Sequence, residues 1–200
     1  MNSAVFDIET TALEAVGAGI VTCVCVRPLS TRRTRTYRLQ YIGDWNPQET
    51  GFLEVEESEL LREVVGELGK YHLLIGHNIE RFDLPYLRTR CYRRGIPFEL
   101  IPFVYDTMKA FGRTKFRTVN NGFGKPTKSM DMIADFLGLQ QLKTKIYPVD
   151  HWAQIWGKDS EREEAMKEMI DHCQRDVRMN AEMYELLIQY DYKGTIRRWM

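Results

Sequence analysis

The chain has 200 residues, 44% of them hydrophobic, with 28 basic and 28 acidic side chains. That length suits one domain with a substantial core, and the charge balance gives no whole-molecule electrostatic grip on a polyanion. No apolar run approaches the roughly 20 residues needed to span a membrane, and the N-terminus lacks a signal-peptide layout. Cys23, Cys25, Cys91 and Cys173 match no zinc-ligand spacing, so they read as reduced thiols in a cytoplasmic protein.

In chain order, residues 3–9 (SAVFDIE) read as an apolar strand interrupted by Asp7 and Glu9. Residues 19–27 are β-branched and cysteine-rich and predict a buried second strand. Residues 32–42 alternate Arg and Thr with apolar side chains and predict a third, more exposed one. GDWNPQETG is turn-rich. Residues 56–70 carry Leu60, Leu61, Val64, Val65 and Leu68 at helical spacing. LLIGHN follows as a short strand, then a helix over 83–94 and a short strand within GIPFELIPFVYDT. Residues 110–128 read as a flexible loop. Ser129 predicts the cap of a helix ending at Leu137 and Gly138, and a long helix covers about 160–190. This order predicts an α/β fold with a mixed five-stranded sheet flanked by helices, in one domain over 1–200.

Side chains two apart on a strand share a face, so Asp7 and Glu9 project together from an otherwise apolar strand. Burying an acid costs several kcal/mol unless something compensates its charge, which argues for chemistry over packing. Asp83 stands at a helix start with Pro85 in the first turn, so taken alone capping explains it better than chemistry does. His172 and Asp176 are four apart on the long helix and share a face, whereas Asp171 is rotated by about 140° from Asp176. Taken alone, the His172–Asp176 pair reads better as a surface pair on an amphipathic helix. Residues 109–128 hold Lys109, Arg113, Lys115, Arg117, Lys125 and Lys128 with Phe111, Phe116 and Phe123 and no acid. Such a loop suits a phosphate backbone with stacked bases, and equally a solvated loop with a few buried rings. Arg32, Arg33, Arg35 and Arg38 read as a solvated strand face.

Together VFDIET, HNIERFDLPYL and DHCQRDV resemble the three motifs of the DEDD 3′–5′ exonucleases of the RNase H-like superfamily, in order and over nearly the whole chain. SMDMIADFLGL resembles the helix that precedes the third motif. Among these enzymes the chain is most similar to the proofreading domains of phage and family B DNA polymerases. The resemblance implies two Mg²⁺ or Mn²⁺ ions held by Asp7, Glu9, Asp83 and Asp176. It also implies hydrolysis at the 3′ end of a single-stranded or frayed strand, DNA ahead of RNA, with a polymerase or repair complex as a further partner. Exoribonuclease activity and a non-catalytic nucleic-acid-binding adaptor are the alternatives. Thr10, Leu13, Asn78 and Phe82 correspond to substrate-contacting or pocket positions, while His77 reads as structural. The fifth residue departs from the family pattern. One subclass has Tyr four residues before the last Asp, the other has His five before it. Here His172 stands four before Asp176, with no Pro or Gly from Ser160 to Tyr190. A continuous helix through His172 is therefore expected, with His172 orienting or deprotonating the attacking water.

Overall fold

The computed structural model describes residues 2–17, 19–40, 57–111, 129–139, 155, 159–190 and 196–199. One six-stranded sheet runs β3-β2-β1-β4-β5-β6. Its strands are β1 (Ser3–Thr10), β2 (Val21–Pro28), β3 (Arg35–Arg38), β4 (Leu73–Gly76), β5 (Phe103–Asp106) and β6 (Ile196–Arg198). β1 is antiparallel to β2 and parallel to β4, β4 is parallel to β5, and β3 and β6 close the two edges antiparallel to their neighbours. The helices are α1 (Ser58–Leu68), α2 (Asp83–Arg93), α3 (Thr107–Ala110), α4 (Met130–Phe136) and α5 (Asp159–Leu187). No described helix is long and apolar enough to cross a membrane.

β1 and β2 are almost wholly buried because the sheet is covered on both faces, which demands apolar runs rather than alternation. α5 lies across β2, β1 and β4 and buries Met169, Cys173, Val177 and Ala181, a stripe at four-residue spacing. α1 buries Leu60, Leu61, Val64 and Leu68 as its periodicity predicts. Ser129 caps α4 by accepting the Met132 amide at 3.3 Å, and Gly138 takes the left-handed conformation (φ +68°) beyond its end. Ile133 and Ala134 of α4 pack with Met179 and Met183 of α5 in a small second core. All four cysteines are buried free thiols.

The fold class is as predicted, but the sheet has six strands rather than five. β6 has three residues, Ile-Arg-Arg, too few to show a period, and only its pairing with β5 makes it a strand. α3 is a single turn, below the reach of periodicity. The third strand is shorter than the predicted 32–42, and the turn-rich 43–51 and the basic 112–128 lie outside the described residues.

Candidate active site

The site forms at the carboxyl ends of the parallel strands β1, β4 and β5, where an open α/β sheet leaves a crevice. β1 is the spine. Asp7 and Glu9 point to one side of it, opposite Cys25 and Cys23 of β2, and the ladder slips register between Glu9 and Thr10. The slip ends regular pairing where the chain leaves toward solvent. Carboxylate oxygens of Asp7 and Glu9 and the Cys173 sulfur all lie within 4.8 Å of one another.

Asp83 arrives from α2. It is the first residue of α2 and 2% exposed, and it does not act as a cap. Phe82 holds the cap position without a side-chain cap bond, so the capping alternative is set aside. Burial drives the Asp83 carboxyl up to about 8. Hydrogen bonds from its own amide and that of Ile8 work against the rise, and the charges of Asp106 and Glu9 add to it. Asp176 reaches the cluster from α5, its carboxyl raised to about 6 by burial, against the nearby His172. The Asp7 carboxyl is raised well above the usual range, first by burial and then by Asp83, Asp176 and Glu9. Acids from three separate blocks therefore sense one another through β1.

His172 Nδ1 is 2.8 Å from Glu9 Oε1 and 3.8 Å from Asp176 Oδ2. Burial lowers the imidazole's proton affinity, but the hydrogen bond to Glu9 and the charges of Glu9 and Asp176 outweigh it, so the pKa is raised. α5 is continuous through His172, and Asp171 is exposed on a different face, as the helical rotation predicts.

The secondary positions divide. Thr10 is buried and its hydroxyl donates to Ala12 O at 2.8 Å. Leu13 is 76% exposed on the segment after β1. Asn78 occupies the left-handed region (φ +61°), with its amide donating to Asp106 Oδ1 at 2.9 Å. Phe82 is half-buried, with its ring 5.4 Å from that of Tyr86. His77 Nδ1 meets the Thr107 hydroxyl at 3.0 Å, as a structural residue would.

Two residues escaped the sequence reading. Asp106, 1% exposed at the end of β5, accepts the amides of Asn78 and Met108 and so fixes the turn that leads to Asp83. An acid followed by Thr at a strand end was a legible cap signal. Cys173 donates to Asp7 O at 3.3 Å. Burial and contacts with Cys23 and Cys25 push its thiol well above the ordinary range.

Convergent carboxylates that raise one another's proton affinity are a donor set suited to a hard divalent cation, whose charge would relieve the repulsion. The chain matches the RNase_H_2 family model of the RNase_H superfamily over residues 4–188 and belongs to that family. Among curated proteins none matches. The fold is similar to a family B DNA polymerase from the hyperthermophilic archaeon Pyrobaculum calidifontis, with TM-score 0.67 and 16% identity over 94% of this chain. The likeness covers 24% of the polymerase, so this chain spans about a quarter of that protein's length. It is an RNase H-like nuclease fold.

Proposed function

We propose that the protein is a metal-dependent 3′–5′ exonuclease that hydrolyses phosphodiester bonds at single-stranded or frayed DNA 3′ ends. The observation that carries this reading is the convergence on β1 of Asp7, Glu9, Asp83 and Asp176, with His172 hydrogen-bonded to Glu9. Two Mg²⁺ or Mn²⁺ ions held by these four acids would clamp the scissile phosphate and acidify the attacking water. Glu9 orients His172 through Nδ1, which leaves Nε2 as the basic nitrogen of the neutral ring. His172 then accepts the proton of the attacking water and passes it to solvent. Leu13, exposed just past the acids, meets the terminal base, and Thr10, Asn78 and Phe82 shape the wall beside it. Contacts made to phosphate and to base faces read no sequence, so preference among sequences is low.

The test is an oligonucleotide labelled at either end and incubated with Mn²⁺, in DNA and RNA versions. Early loss of the 3′ label from DNA, abolished by Asp7→Ala, is expected. Faster loss from RNA would make the enzyme an exoribonuclease, and binding without degradation would leave only an adaptor.

A further inference from the structure

α5 packs across β2, β1 and β4 on the stripe Met169, Cys173, Val177 and Ala181. Such contacts are non-directional, and a flexible methionine adapts to a displaced neighbour. The stripe therefore sets which face of α5 is buried and leaves its position along the axis loose. Among the described residues of α5, Asn180 is the one fully buried polar side chain, at 0% exposure. It stands one turn beyond Asp176 and two beyond His172. The Thr107 hydroxyl donates to Asn180 Oδ1 at 2.9 Å, and it lies 3.0 Å from His77 Nδ1 and 3.3 Å from Gly76 O. Thr107 is itself 0% exposed and opens α3. Asn180 Nδ2 is buried and meets no partner among the described residues. An amide left half-satisfied in a core destabilises the fold, so stability alone does not account for Asn180.

The pairing of Gly76 with Asp106 across β4 and β5 sets Thr107 just past the end of that ladder. Two consecutive residues therefore brace the two helices that bring in acids. Asp106 fixes the turn leading to Asp83 on α2. Thr107 holds α5 through Asn180, with Asp176 about 6 Å and His172 about 12 Å away along the helix axis. A helix passes an axial shift on undiminished. A slip of about 1 Å at Asn180 would stretch the 2.8 Å contact of His172 with Glu9 beyond hydrogen-bonding range. We propose that Asn180 and Thr107 are positioning residues whose buried hydrogen bond sets the register of α5 against β1 and so places His172 and Asp176 at the acid pair. The catalytic consequence rests on the exonuclease reading, and the register itself does not.

Asn180→Ala removes the bond and the unpartnered Nδ2 together, and alanine is the better helix former. The variant should therefore melt within about 3 °C of the wild type. Its kcat on a single-stranded oligonucleotide should nevertheless fall about 10- to 100-fold with KM within about threefold, the reach of a displacement near 1 Å. Thr107→Val should lower kcat likewise, whereas Thr107→Ser keeps the hydroxyl and should stay within about threefold of the wild type. Unchanged kcat in Asn180→Ala overturns the proposal. So does a Tm lower by more than about 6 °C alongside the lost rate, because Asn180 is then a structural residue only. The His172 imidazole nitrogen resonances, recorded in chelator and assigned by their loss in His172→Gln, read the register without metal or turnover. They should move in Asn180→Ala and stay in place in Thr107→Ser. Such a shift upholds the proposal even if the wild type degrades nothing, an outcome that would sink only the exonuclease reading. Unmoved resonances in Asn180→Ala overturn it.

Discussion

Without a cation, the acid cluster should destabilise the fold as its members ionise. The Asp83 carboxyl moves from 3.8 to about 8 and that of Asp176 from 3.8 to about 6. Between those values the native state holds more protons than the unfolded chain, so stability falls as pH rises from about 4 to about 8. The raised imidazole of His172 acts in the same direction, since stability gained by binding its proton is lost as pH climbs through the folded value. Each pH unit is about 1.4 kcal/mol per shifted proton, so from pH 5 to 8 Asp83 alone accounts for about 4 kcal/mol and Asp176 for about 1. The two share one field and do not add fully, which puts the expected loss at about 3–4 kcal/mol. For a chain of this size that is roughly 6–15 °C in Tm. Thermal melts in chelator near pH 5.5 and pH 8.5, repeated with Mn²⁺, make the measurement. The metal-induced rise in Tm should be larger at the higher pH, because the cation replaces protons already lost. Asp83→Asn should flatten the chelator series and exceed the wild type in stability at pH 8.5. Equal wild-type melting at both pH values in chelator, or an Asp83→Asn protein less stable there, would refute the argument.

Three further outcomes follow from particular contacts. His172→Ala should lower kcat far more than it changes oligonucleotide affinity, measured as kcat against Kd, because it removes the base that Glu9 orients. Asp106→Ala strips the Asn78 and Met108 amides of a buried acceptor and should cost about 2–4 kcal/mol in urea unfolding, with Asp106→Asn costing much less. Glu67 is buried, which alone would raise its carboxyl. Hydrogen bonds from Lys70 at 2.7 Å and Tyr71 at 2.6 Å, a further one from Tyr37 and the charge of Arg35 overcome that and hold it at about 2. Its contribution is present above the unfolded value near 4.5 and is lost as pH falls toward 2. Glu67→Gln should therefore cost about 1–2 kcal/mol at neutral pH, discounted for the exposed Arg35 and Lys70, with the gap closing in acid.

Much of the site was legible in the sequence because its parts obey local periods. Asp7 and Glu9 share a strand face by two-residue spacing, and His172 and Asp176 share a helix face by four-residue spacing, whatever surrounds them. Ser129 and Gly138 marked α4 through cap chemistry that acts within one turn. The continuity of α5 through His172 was also legible, since no Pro or Gly interrupts residues 160–190.

Tertiary structure decided the rest, and each case has a long-range cause. Asp83 reads as a cap until the Ile8 amide, 75 positions away, turns toward its carboxyl. The cap role of Asp106 is local, but the pairing of β4 with β5 is what brings it under the Asn78 amide. β6 exists because β5 offers it an edge. The Glu57–Arg90 and Arg90–Ala15 contacts join residues with no shared period. Local rules place side chains on faces, but which faces meet, and so which proton affinities rise, depends on desolvation and charge summed over the whole fold.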